Sequence, residues 1–138
     1  MRLLGIDFGQ KRIGLAISDP LGLTAQPLEV LQNGPLVFKK ISDICKEKQV
    51  SKIIVGLPKT LKGELSYSAH KVALFITKLK KEIKDVEVIL QDERFSTAGA
   101  EKSLSLSNFS GQKKRSIIDK LAAAYILQGY LDAFKKNK

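Results

Sequence analysis

Three acids and a scatter of cations are the side chains in this sequence that could do chemistry. Asp7 stands in Gly5-Ile6-Asp7-Phe8-Gly9-Gln10-Lys11-Arg12-Ile13-Gly14, where an apolar run stops at a carboxylate, a glycine follows, and two cations come next. Glu93 stands in Asp92-Glu93-Arg94, and Asp119 in Ile118-Asp119-Lys120-Leu121-Ala122-Ala123. Carboxylate oxygens are hard ligands that select Mg²⁺ or Mn²⁺. Two such ions about 3.5–4 Å apart can activate water and stabilise the leaving oxygen of a phosphodiester. Other hydrolytic chemistries lack their residues. His70 is the single histidine and lies in a polar stretch, which speaks against a serine triad or a zinc cluster. Cys45 is the single cysteine, so no internal disulfide can form, and its apolar neighbours mark it as a small core residue.

The elements that must position these acids follow from periodicity and turn chemistry. Residues 3–7 and 13–18 read as strands, the second alternating Ile13, Leu15 and Ile17 with the small Gly14 and Ala16. Ser18-Asp19-Pro20-Leu21-Gly22 has turn composition, with Asp19 structural, and leads by a hairpin into a third strand at residues 23–31. Pro27 lacks a backbone donor and predicts an edge position for that strand. Pro35 suits the first turn of a helix whose apolar face is Val37, Ile41, Ile44 and Cys45. The run around Ile53-Ile54-Val55 predicts a buried parallel strand. A second helix is expected over 66–84 with a stripe of Val72, Phe75, Ile76, Leu79 and Ile83, then a strand alternating Val86, Val88 and Leu90 and ending at Asp92-Glu93. A short helix over 96–106, a polar loop over 103–112 and a last helix over 113–134 complete the chain, with a frayed tail at 135–138. This is an α/β arrangement within one domain spanning 1–138, its early strands antiparallel and its later ones parallel.

Parallel strands bring their C-terminal ends to one sheet edge, where ligand sites of open α/β sheets collect. Asp7 and Glu93 both end strands and so can share that edge. Asp119 lies on the helical face of Ala122, Ala123 and Ile126, small enough to pack close to the sheet. An acid leading such a face needs a positive partner. A metal shared with Asp7 and Glu93 would serve, and so would an ion pair with Arg94 or Lys120. Taken singly, each acid could be a cap, a salt-bridge partner or a solvated turn residue; taken together they favour a metal site.

The chain carries 24 Lys and Arg against 14 Asp and Glu, a net charge of +10 that fits a polyanionic partner such as nucleic acid and, on charge alone, fits a lysine-rich solvated surface equally well. Lys113, Lys114 and Arg115 crowd the start of the last helix, where the helix dipole disfavours cations. A phosphate backbone there would account for them, and Lys11, Arg12 and Arg94 are further candidate contacts beside the acids. No apolar run approaches the length of a membrane span, and the N-terminus lacks the pattern of a signal peptide, so a cytoplasmic location is expected.

These residues resemble a known family. The stretch from Gly5 through Asp19 is similar to the opening signature of the YqgF (RuvX) proteins. Ile54-Val55-Gly56-Leu57-Pro58, Asp92-Glu93-Arg94-Phe95-Ser96-Thr97, Ile118-Asp119-Lys120-Leu121-Ala122-Ala123 and Ile126-Leu127-Gln128-Gly129-Tyr130-Leu131-Asp132 match its later motifs in order. The resemblance covers essentially the whole chain. It implies a ribonuclease H-like fold with sheet order 3-2-1-4-5. It implies a Mg²⁺- or Mn²⁺-dependent nuclease whose catalytic and metal-binding acids are Asp7, Glu93 and Asp119, acting in 5′-end processing of precursor 16S ribosomal RNA or in resolving four-way DNA junctions. Residues 59–68 depart from the family's pattern, which bears on substrate contacts and not on the acids. Readings from other classes are a nucleic-acid-binding module without catalysis and an actin- or Hsp70-like phosphate-binding ATPase. The first leaves the acids unexplained, and the second needs two lobes. Resolving a symmetric junction would call for a homodimer rather than a monomer.

Overall fold

The computed structural model describes residues 1–57, 67–92 and 111–136. Five strands form one sheet: β1 (Arg2–Phe8), β2 (Arg12–Ser18), β3 (Ala25–Gln32), β4 (Val50–Leu57) and β5 (Glu87–Asp92). Among the described residues three helices accompany them: α1 (Val37–Glu47), α2 (Tyr67–Glu82) and α3 (Gly111–Lys136). The spatial order is β3-β2-β1-β4-β5, the order expected. The β1–β2 and β2–β3 pairs are antiparallel, and β1–β4 and β4–β5 are parallel. Pro27 lies on an edge strand, beside a register shift between Leu15 and Ala16 where the ladder can spare a donor.

Strand alternation divides the core into two layers. Leu4, Ile6, Ile13, Leu15, Ile53 and Val55 face α1 and α2, meeting Val37, Ile41, Ile44 and Cys45 from the first helix and Val72, Phe75 and Leu79 from the second. Ala16 and Ile54 face the other way and meet Ala123, Ile126, Leu127 and Leu131 of α3. Helix and sheet come closest in that layer where its residues are small. A Cβ on Gly5 would sit 2.8 Å from both the Ala123 carbonyl oxygen and the Leu127 Cβ. Close approach of helix to sheet is thus written in glycine and alanine.

Several expectations shift in detail. Pro35 occupies the turn before α1, which starts at Val37, with the Val37 amide bonded to the Gly34 carbonyl. In β5, Val88 packs toward α1 and α2 while Ile89 turns to α3; Leu90 is half exposed because β5 is an edge strand. Helix α3 runs on to Lys136, past the point where fraying was expected. The short helix over 96–106 and most of the loops at 59–68 and 103–112 lie outside the described residues. Burial pushes the Cys45 thiol up to about 11, which fits a core residue and not a nucleophile.

Asp19 is the structural turn residue anticipated. Its Oδ1 accepts hydrogen bonds from the amides of Leu23 at 2.6 Å and Thr24 at 2.9 Å. The Thr24 amide above all holds its carboxyl below the ordinary 3.8, desolvation opposing it and the Leu23 amide adding to the lowering. A carboxyl depressed in the folded state stabilises the fold above its unfolded value and loses that contribution as pH falls through the folded value. Asp19→Asn should therefore flatten the fall of melting temperature as pH drops below about 4, measured by thermal denaturation across that window.

Candidate functional site

Asp7 lies one residue before the end of β1, directly opposite Gly14 of β2. Directly opposite residues of an antiparallel pair point to the same sheet face, with Cα atoms about 4.5–5.5 Å apart. Gly5 of the same strand lies under α3, so Asp7, two residues on, belongs to the α3 face as well. Gly14 then brings in the second acid. A Cβ on Gly14 would fall on the Asp119 carbonyl oxygen and would sit 3.2 Å from the Asp119 Cβ. The backbone of α3 therefore rests on Gly14 at Asp119, next to Asp7. From there α3 runs antiparallel to β1, passing Gly5 at Ala123 and Leu127 and reaching Gly22 at Leu131.

The two acids, 112 positions apart in the chain by their numbers, thus meet at the edge where β1 ends. Both are partly buried. Asp119 is held by a cation that was not among the rivals named from the sequence, of which Arg94 lies outside the described residues. The Arg12 Nε donates to Asp119 Oδ2 at 2.8 Å. Arg12 has the same strand parity as Gly14, and hence the same face, which is what lets it reach the helix. Arg12, expected as a nucleic-acid contact, is in this structure the counter-ion of a candidate metal ligand.

The turn between Asp7 and β2 is locked by a residue that sequence reasoning passed over. The Asn33 side-chain nitrogen donates to the Gly9 carbonyl at 2.9 Å, and the Asn33 amide donates to the Lys11 carbonyl at 2.9 Å. A Cβ on Gly9 would collide with the Arg12 carbonyl, so the turn closes only around glycine. Asn33 read as a chain break, yet an asparagine's double hydrogen-bonding capacity just past a strand was a usable signal. On the opposite face Phe8 packs its ring 5.0 Å from that of Phe75, fixing the end of β1 from below.

The remaining candidates are distributed unevenly. Lys11 is exposed in the turn. Lys113 is exposed in the first turn of α3, six residues before Asp119 and so roughly 9 Å along the helix axis, beyond the acid. Lys114 and Arg115 follow it in the same helix. Glu93 and Arg94 lie outside the described residues. Ile89 packs against α3, and the Gln91 side chain comes within 3.9 Å of where a Gly129 Cβ would stand. Among the described residues no group of three or more His, Cys, Asp or Glu that could hold a metal ion converges. Also among them, no helix is long and apolar enough to cross a membrane.

Oxygen-only donors on one face, with a positive charge already drawn to one of them, match the donor chemistry of a hard divalent cation. Among the described residues, Lys11 in the turn after β1 and Lys113 in the first turn of α3 are exposed cations on the elements that carry the two acids.

Comparison with known proteins agrees with this architecture. A curated protein of Sulfurihydrogenibium sp., named "Putative pre-16S rRNA nuclease", is 48% identical over 132 residues, covering 95% of this chain and 90% of that one. One of Clostridium tetani with the same name is 47% identical over 135 residues, covering 96% and 97%. Among solved structures, Thermus thermophilus RuvC in complex with a Holliday junction substrate superposes with a TM-score of 0.58 at 18% identity, covering 98% of this chain and 96% of that chain. The Fowlpox virus resolvase bound to Holliday junction DNA gives 0.55 at 15% identity, covering 97% and 99%. The fold is that of the RuvC-like, ribonuclease H-fold resolvases. The family model RuvX, described as Holliday junction resolvase, matches residues 1–133, and the chain belongs to the RuvX family.

Proposed function

We propose that this protein is a nuclease that hydrolyses phosphodiester bonds in structured nucleic acid, with the 5′ end of precursor 16S ribosomal RNA as its substrate. The observation that carries this reading is the meeting of Asp7 and Asp119 on one sheet face through Gly14. Relatives at 47–48% identity that carry the name of a pre-16S rRNA nuclease support the substrate. Glu93 is the third acid of the proposal. In sequence it directly follows Asp92, the last residue of β5, a strand whose Ile89 turns to α3.

Asp7, Glu93 and Asp119 would hold Mg²⁺ or Mn²⁺. When bound, such an ion supplies charge that polarises the scissile phosphate and lowers the pKa of an attacking water. The protein's own residues do the rest. The carboxylates orient that water by accepting its hydrogen bonds. Lys11, Arg12 and Arg94 beside the acids, and Lys113, Lys114 and Arg115 at the start of α3, hold the phosphodiester backbone. Recognition of this kind reads backbone and shape, so affinity falls as salt rises. One site on one domain of 138 residues suffices, in the cytoplasm where ribosomal precursors are processed.

A second reading keeps the same site and changes the substrate to a four-way DNA junction, favoured by the RuvX description and by the resolvase fold. It requires a dimer, because paired cuts need two sites related by a two-fold axis. One assay decides. Wild type and Asp119→Asn are each incubated with precursor 16S rRNA and with a four-way junction, with Mg²⁺ and with chelator. The expected result is cutting of the RNA that needs Mg²⁺ and falls at least about a hundredfold in the variant. Symmetric cutting of the junction alone would move the assignment to resolution. Cutting of neither substrate would overturn catalysis and leave a binding role.

A further inference from the structure

The Arg12–Asp119 pair is more than a strap between sheet and helix. Both side chains keep contact with solvent, 31% for Arg12 and 20% for Asp119. The backbone beneath Arg12 is fixed, because Arg12 is in register with Gln32 of β3 and its carbonyl closes on Gly9. The guanidinium can therefore leave Asp119 without disturbing the sheet. A partly exposed pair of this kind is weak enough to exchange. A divalent cation on the same carboxylate competes with the guanidinium for its charge, most directly at Oδ2, the oxygen that Arg12 holds.

We propose that Arg12 is an exchangeable counter-ion. Its guanidinium neutralises Asp119 in the metal-free protein and passes to a phosphate oxygen of the nucleic acid when a divalent cation takes the Asp119 carboxylate. This rests on the metal-site reading above. A guanidinium suits both roles, because its planar fork binds carboxylate and phosphate alike and never loses its charge. The consequence is coupling: metal frees the arginine, the arginine helps hold phosphate, and by reciprocity phosphate strengthens metal binding.

The test uses the full chain and a nucleoside 3′,5′-bisphosphate, which offers phosphates and no diester to cut. Mg²⁺ affinity by calorimetry is expected to be roughly two- to fivefold tighter in Arg12→Gln than in wild type. Bisphosphate affinity should be about equal in the two proteins without Mg²⁺, and roughly two- to fivefold weaker in the variant at saturating Mg²⁺. The Arg12 Nε–H of the wild type should lose its protection from exchange with water on adding Mg²⁺, which decides the matter even where the variant fails to fold. A strap without exchange would keep that protection, with Mg²⁺ affinity unchanged or weakened in Arg12→Gln. Either result overturns the exchange while leaving the metal site standing. Mg²⁺ binding in Asp7→Asn as tight as in wild type would overturn the metal site itself, and the exchange with it.

Discussion

Asp7→Asn is expected to lower the rate of Mg²⁺-dependent cleavage at least about a thousandfold, with the melting temperature within a few degrees of the parent. Asparagine keeps the shape and one carbonyl oxygen of aspartate, and the strand position opposite Gly14 is unaffected by the exchange. What disappears is a negative charge at the one place where β1 delivers it to the α3 face. A neutral amide brings one carbonyl oxygen but no charge to a Mg²⁺ site that is bound through carboxylates. Single-turnover cleavage of a structured RNA, alongside thermal melting, separates lost chemistry from lost fold. Full activity in the variant would remove Asp7 from the mechanism and with it the proposed function.

Gly14→Ala is the second large effect, and it works through position and not charge. The added Cβ would fall on the Asp119 carbonyl oxygen, a backbone atom of a helix packed along its length, so no side chain can rotate away to make room. The helix must lift at Asp119. Overpacking of this kind costs about 3 kcal/mol, or on the order of 10 °C in melting temperature for a chain of this size. Because the displaced residue is a candidate ligand, cleavage should also fall by roughly a hundredfold at temperatures where the variant remains folded. Gly34→Ala is the matched control, since nothing lies within 4 Å of a Cβ there, and its melting temperature should stay close to that of the parent. Equal melting of the two variants would show that α3 does not rest on Gly14 as described.

The same glycine explains how much of the site was legible beforehand. Alternation of Ile13, Leu15 and Ile17 with Gly14 and Ala16 identified a strand with one small face, and the Asp119, Ala122, Ala123, Ile126 spacing identified a helix with a matching small face. That the two small faces pack on each other, with Asp119 seated over Gly14 beside Asp7, is a tertiary fact. The partner of Asp119 shows the limit most clearly. Arg94 and Lys120 were natural rivals from a linear chain, being near an acid in sequence. The cation that arrives is Arg12, 107 residues away, because strand parity puts it on the α3 face just where the helix crosses.

Asn33 marks another boundary. Its dipeptide with Gly34 signals a break in the chain, which is what local composition can express. Its two hydrogen bonds back to Gly9 and Lys11 depend on β3 returning beside β2, so that the end of one strand lies next to the turn before the other. Turn chemistry locates a bend, while the hydrogen bonds that brace it come from whatever the bend is brought against.

The sequence by itself determined the types of the described strands and helices, the five-stranded order reached through family resemblance, the core role of Cys45 and the turn role of Asp19. Each of these rests on periodicity, turn composition or motif order, which a linear chain carries in full. Only the tertiary structure decided which cation neutralises Asp119, how closely α3 approaches β2 and what locks the turn after Asp7. Those are contacts between residues far apart in the chain, set by the line along which a helix crosses a twisted sheet, and no local pattern encodes that line.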